Sequence, residues 1–206
     1  MDKLKLISTQ KTLSARKISI FSTKDFTRIF NVDPKTARAF LSYNTKAGAF
    51  RRIKRGAYCL ASEPLSKFEV ANYLRQPSYV SFETAMSYYG LIPENVYTII
   101  SATTKPPKTF EFESQSYQYI KIKKNFFFGY SPVKIREKTI RMADKEKALL
   151  DYLYLASLKK QPVNERLNLS KLDKKQLGFY VNFFKKHLRK NKAFLDLVKK
   201  LNYDFS

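Results

Sequence analysis

The sequence predicts a mixed α and β protein of two domains, with a winged helix-turn-helix over residues 1–62. A mixed α/β domain follows over residues 63–206 and ends in basic amphipathic helices. Three observations carry this reading. Two short capped helices follow one another between Ser22 and Gly48, the cation-rich stretch FRRIKRGAYCLA reads as a hairpin directly after them, and the pattern changes character at Glu63-Pro64.

The first helix is placed by its entry. Ser22 with Asp25 three positions on resembles a capping box, and Phe21 stands to Phe26 as a hydrophobic staple, so the helix begins at Thr23. Phe26, Ile29 and Phe30 recur at helical spacing and make one buried stripe, which runs out at Asn31-Val32-Asp33. Asp33 can cap the next helix, and Pro34 suits its first position, where the N–H that proline lacks would have no partner. Ala37, Phe40 and Leu41 then face the core. Lys35, Thr36, Arg38, Ala39, Ser42 and Tyr43 point outward, a mixture of phosphate binders and groups that a major groove accepts. Gly48 ends the helix.

With Arg55-Gly56 at the hairpin tip, Lys54 is expected opposite Ala57, Ile53 opposite Tyr58 and Arg51 opposite Leu60. Alternation along a strand then puts Ile53, Tyr58 and Leu60 on the core face, with Arg52 and Lys54 on the other and Arg55 at the exposed tip. An edge strand guarded against pairing is also charged, but one or two charges suffice for that, and here there is a run. The candidate DNA contacts are therefore Lys35, Thr36, Arg38, Ser42 and Tyr43 at the groove or its rim. Arg51, Arg52, Lys54 and Arg55 are the candidates for phosphates or the minor groove.

Beyond the break, SKFEVANYL has helical spacing through Phe68, Ala71 and Leu74 and reads as the connection to the second domain. A short strand at Tyr79-Val80, a helix capped by Ser81 and closed by Gly90, and a strand through Val96 to Ala102 follow. Further strands are expected at Tyr117 to Ile122, Phe126 to Tyr130 and Val133 to Arg136. From Asp144, which can cap, KEKALLDYLYLASL is apolar on more than one side and reads as a buried helix. Leu177, Val181, Phe184 and Leu188 form one helical stripe, and Phe194, Leu197, Val198 and Leu201 another. Between them lie Lys185, Lys186, Arg189, Lys190 and Lys192. These either solvate the back of an amphipathic helix or make a second basic surface, for flanking DNA or an acidic partner.

The charge is unevenly spread. Lys and Arg number 40 against 17 Asp and Glu, a net of +23, of which residues 1–62 hold +11, residues 63–158 only +3 and residues 159–206 +9. A chain that is basic for solubility alone would spread its charge more evenly. A single cysteine, Cys59, an N-terminus without a signal-peptide core and no apolar run long enough for a bilayer lead to the expectation of a cytoplasmic protein with no membrane partner.

One histidine and one cysteine exclude the common zinc patterns, and the five glycines form no nucleotide cradle. Glu83, Asp144, Glu146 and Asp151 could be considered for an all-carboxylate magnesium site, but Asp144 reads as a cap, Glu146 as a first-turn dipole partner, and all are isolated. The expectation is a protein with no catalytic residues, no metal and no cofactor, hence not an enzyme. An RNA-binding protein would share the basic composition, but it should prefer unpaired RNA and gains little from a groove-shaped helix.

The stretch YVSFETAMSYYGLIPE, preceded by RRIKRGAYCLA and followed by ADKEKALLDYLYL, resembles the AbiEi family, the antitoxins of bacterial type IV toxin-antitoxin, or abortive infection, systems. Phe82 and Tyr89 stand where the family typically has leucine and histidine; both keep an apolar or aromatic filler, which argues for a structural motif. The resemblance implies a winged-helix domain that binds double-stranded DNA at the operator of its own operon as an autorepressor. It also implies a C-terminal domain needed to counter a nucleotidyltransferase toxin without a stable complex. A stand-alone winged-helix transcriptional regulator would look the same in this sequence.

Overall fold

In the computed structural model, which describes residues 4–159, 162–188 and 190–201, the chain divides after Leu74 into two units, Met1–Leu74 and Arg75–Ser206. The division therefore lies beyond the position after Ser62 that the sequence suggests. Its physical cause is the helix over SKFEVANYL, which buries Val70, Ala71 and Leu74 and packs within the first unit instead of linking the two.

The first unit runs α1 (Leu6–Ala15), β1 (Ile20–Ser22), α2 (Thr23–Phe30), α3 (Pro34–Lys46), β2 (Phe50–Lys54), β3 (Ala57–Leu60) and α4 (Lys67–Leu74). Its three strands form an antiparallel sheet in the order β1-β3-β2. Leu13, Phe21, Phe26, Ala37, Leu41, Phe50, Tyr58 and Leu60 make the core between sheet and helices. The entry to α2 is as read from the sequence: Ser22 Oγ accepts from the Asp25 N–H and the Asp25 carboxylate accepts from the Ser22 N–H, both at 3.0 Å. The staple rings Phe21 and Phe26 lie 5.8 Å apart. Asn31 closes α2 in a left-handed conformation, and Asp33 accepts from the backbone N–H groups of Lys35 and Thr36 at 2.8 and 2.9 Å, which starts α3 at Pro34. Two helices at a three-residue turn, followed by a hairpin whose second strand pairs β1, make a helix-turn-helix-like arrangement with the hairpin directly after it.

The second unit holds a six-stranded mixed sheet in the order β6-β7-β5-β4-β9-β8, from β4 (Ser78–Val80), β5 (Ile99–Thr103), β6 (Lys108–Phe112), β7 (Gln115–Lys121), β8 (Tyr130–Ile135) and β9 (Lys138–Ala143). Helices α5 (Phe82–Tyr89) and α6 (Lys145–Lys159) pack on each other and on the sheet, and α7 (Lys174–His187) and α8 (Lys192–Lys200) pack on α6. The fold class is thus mixed α and β, with the helix-turn-helix first. Of the last two stripes, Leu177, Val181, Phe184, Leu188, Phe194 and Val198 are buried, while Leu197 and Leu201 are half-buried.

Four local readings differ. The strand expected from Val96 begins at Ile99. No strand runs from Phe126 to Tyr130; Lys124–Phe126 is a short 3-10 turn that inserts Phe126 against Phe184, with the rings stacked at 4.4 Å. A run of aromatics has the same composition in a strand and in a plug, and only its partner distinguishes them. Strands β6 and β9 are not foreshadowed by the sequence reading. Ser81 precedes α5 without capping it.

The Ser81 hydroxyl instead donates to Asp151 at 2.8 Å, as does the Tyr79 hydroxyl at 2.9 Å. Lys147, one turn before Asp151, bonds the same carboxylate and donates to the Tyr79 oxygen at 2.8 Å. The Lys147 and Asp151 side chains are fully buried, and the Lys147 ammonium lies 5.3 to 5.5 Å from the ring centres of Tyr79, Phe128 and Phe184. Burial pulls the Lys147 pKa down while Asp151 opposes it, and burial holds the Tyr79 phenol protonated, well above its ordinary value. This cluster ties β4 to α6 and uses four residues of the YVSFETA and ADKEKALLD stretches, Tyr79, Ser81, Lys147 and Asp151. It also removes Asp151 as a magnesium ligand, because its oxygens are committed to an ammonium and two hydroxyls. Gly129 sits over the lysine stem at φ +67°, where an added Cβ would meet Lys147 Cγ at 3.0 Å.

Candidate nucleic-acid interface

Helix α3 presents its outward residues as its 3.6-residue period dictates. Lys35, Thr36, Arg38, Ala39, Ser42 and Tyr43 are all exposed, Tyr43 to 73%. Ala37 and Leu41 are buried beneath them, and Phe40 is partly buried against the same core. The Thr36 hydroxyl donates to Asp33, which lowers the Asp33 carboxyl below its ordinary value, so this side chain completes the cap as well as facing out. Among the described residues, the side chains of Lys35, Arg38 and Tyr43 make no such internal bond. The result is a helix face with two cations, a small flat patch at Ala39 and a phenol, on a rigid capped element.

The hairpin departs from the expected register. Lys54 does lie opposite Ala57, but Arg52, not Ile53, faces Tyr58; Arg51 faces Cys59 and Phe50 faces Leu60. Ile53 is the extra residue of a β-bulge. One inserted residue moves every side chain before it to the other face, so Arg52 and Lys54, expected on one face, stand on opposite ones. Phe50, not Ile53, joins Tyr58 and Leu60 in the core, and Ile53 is buried outside that cluster.

The bulge sorts the four wing cations into two pairs. Arg51 is half-buried, and its guanidinium donates to the carbonyl oxygens of Leu60 (3.3 Å) and Glu63. Lys54 is also half-buried; its ammonium donates to the Leu74 carbonyl at 2.7 Å and lies 5.4 Å from the centre of the Tyr73 ring. Arg52 and Arg55 are exposed. In the sequence the four read as one phosphate-binding group, because the carbonyls of Leu60, Glu63 and Leu74 meet two of them only in the fold.

In the second unit, Lys186, Lys190 and Lys192 are exposed, and Lys185 is half-buried with interactions of its own. Arg189 lies outside the described residues. Lys186, Lys190 and Lys192 line a cleft of about 700 Å³ together with Lys123 and His187, over a floor where Asn191 donates to Ser157 at 3.0 Å. Lys123 was not foreseen, since it stands in a different part of the sequence and only the fold brings it there. A second cleft, between Tyr89, Asp144, Glu146, Lys171 and Asp173, mixes both signs of charge. Asp144 there accepts from Ser131, Tyr180 and Gln176, and Glu146 from the Asp173 N–H. Among the described residues no group of three or more His, Cys, Asp or Glu is placed to hold a metal ion, and no helix is long and apolar enough to cross a membrane.

No curated protein matches the chain. Residues 9–61, from within α1 to just past β3, and so the helix-turn-helix and its wing, match the family described as transcriptional regulator, AbiEi antitoxin.

Proposed function

We propose that the chain is a DNA-binding transcriptional regulator that represses its own operon and serves as the antitoxin of a type IV system, countering a nucleotidyltransferase toxin. The observation that carries the DNA reading is the face of α3, where Lys35, Arg38, Ser42 and Tyr43 are exposed on a capped helix whose opposite side is locked into the core. In a helix-turn-helix this second helix enters the major groove. The antitoxin half rests on the family match to residues 9–61, which supports a regulator of that kind, and on the motifs of the second unit. The unit over residues 1–74 then reads DNA, with Arg52 and Arg55 on phosphates, while residues 75–206 act on the toxin's effect without holding the toxin. Lys186, Lys190 and Lys192 form the second basic surface of this reading, and the protein works in the cytoplasm.

The test is binding to a duplex that carries the promoter of its own operon, measured across a salt series. The logarithm of the binding constant should fall linearly with the logarithm of salt, by about 0.9 per phosphate neutralised. An affinity indifferent to salt, or a preference for unpaired RNA over the duplex, would overturn it. The antitoxin half is tested by co-expression with a nucleotidyltransferase encoded beside it, where restored growth is the expected result.

A further inference from the structure

We infer that Arg51 and Lys54 are positioning residues, which fasten the wing to α4 and so present Arg52 and Arg55 as the two wing cations that meet phosphate. The inference rests on the DNA-binding reading above and divides its wing into contact and support.

Leu74 is the last residue of α4, and a helix leaves its final carbonyl groups without intrahelical partners. Lys54 donates to that carbonyl, at the helix end where a cation is also favoured by the macrodipole. Arg51 performs the corresponding task at the other side, joining the carbonyls of Leu60 and Glu63 on the segment that leads into α4. Between them Ile53, the bulged residue, is buried to 4% exposure. Two charged donors and one apolar side chain thus hold β2 against the chain that follows it. An ammonium that donates to a carbonyl and sits over a ring is held in place by both, whereas Arg52 and Arg55 make no such contact among the described residues and are exposed.

The bulge gives this arrangement its purpose. Without the extra residue Arg52 and Lys54 would share a face, and anchoring one would turn the other inward. With it, Lys54 can be held while Arg52 remains on the surface.

A double-mutant cycle on the full chain with the promoter duplex separates the two roles. Changing Arg52 and Arg55 together to Gln should reduce the salt slope by about 1.8, that is, two phosphates at about 0.9 each. Lys54→Met alone should weaken binding severalfold. In the Arg52→Gln, Arg55→Gln background the same Lys54→Met change should alter affinity by less than about twofold and leave the slope unmoved, because what it positions is gone. A further fall of about 0.9 in that background, or no effect of Lys54→Met in the otherwise unaltered chain, overturns the inference. Arg51→Lys supplies an independent check that conserves charge. It loses the guanidinium whose Nη2 donates to both carbonyls, so binding should weaken, while wild-type affinity would mark Arg51 as a plain phosphate contact. If the wild-type chain fails to bind duplex at all, the DNA reading itself fails, a result these variants do not produce.

Discussion

The two units hold their anchored cations in different ways. In the first, Arg51 and Lys54 sit half-buried on backbone carbonyls while Arg52 and Arg55 beside them stay exposed. In the second, Lys147 is drawn fully inside with Asp151, where it serves the fold alone. A net of +23 is therefore not one property spread over the chain. Charge open to a partner and charge that serves the fold can be told apart by what surrounds it: solvent in the one case, and in the other a backbone carbonyl or a buried carboxylate ringed by hydroxyls and aromatic faces.

The largest expected effect probes the buried side of this contrast. Asp151→Ala leaves Lys147 without its carboxylate and should destabilise the chain by about 3 to 5 kcal/mol, the usual cost of breaking a buried pair from one side. Denaturant unfolding would measure it. Replacing both partners by apolar residues, Lys147→Met with Asp151→Leu, should recover most of that loss, since the desolvation of two charges then disappears. If the single and double variants are equally unstable, the cluster matters for shape and not for charge.

Arg38→Ala probes the exposed side. It should leave the melting temperature nearly unchanged and cost about 1 to 3 kcal/mol in binding where the guanidinium makes a bidentate base contact, with relaxed sequence preference in a competition assay. Asp33→Ala should lower stability by about 1 kcal/mol through loss of the α3 cap, and weaken DNA binding beyond that only as far as the helix frays.

The smallest effect concerns pH. Hydrogen bonds from Ser22 hold the Asp25 carboxyl below its ordinary value, with Arg28 adding to the effect at 3.1 Å. A carboxyl whose folded pKa is lowered stabilises the protein above its unfolded pKa of about 3.9, and that contribution fades as pH falls through the folded value. Asp25→Asn should therefore narrow the stability difference between pH 6 and pH 3. An unchanged difference in acid unfolding would show that the capping box does not respond to protonation.

The helical part of the candidate site was legible because its signals are local. Ser22 with Asp25, and Asp33 with Pro34, set both helix starts within four residues, and a rigid 3.6-residue period then assigns every side chain to a face. The wing was less legible because a strand's faces depend on register, and register here turns on the single bulged residue Ile53. Nothing in FRRIKRGAYCL distinguishes a bulge from a regular pair. Ser81 and Asp144 were harder still. Both stand where caps stand, yet the Ser81 hydroxyl is taken by Asp151, and the Asp144 carboxylate bonds Ser131, Tyr180 and Gln176. Long-range partners outrank local ones when the local bond can be supplied by other means, and a single sequence does not display them.

The bond from Lys54 to Leu74 has a practical consequence for dissection. A fragment ending at residue 62, the point at which composition changes, would remove α4, which packs on β2, and with it the Leu74 carbonyl that accepts from Lys54. It should fold poorly and aggregate through the bared hairpin. A fragment carried through Leu74, with a few residues beyond to spare the last turn of α4, should unfold cooperatively and retain the helix-turn-helix. The minimal reader of DNA is thus longer than the stretch of sequence that looks like one.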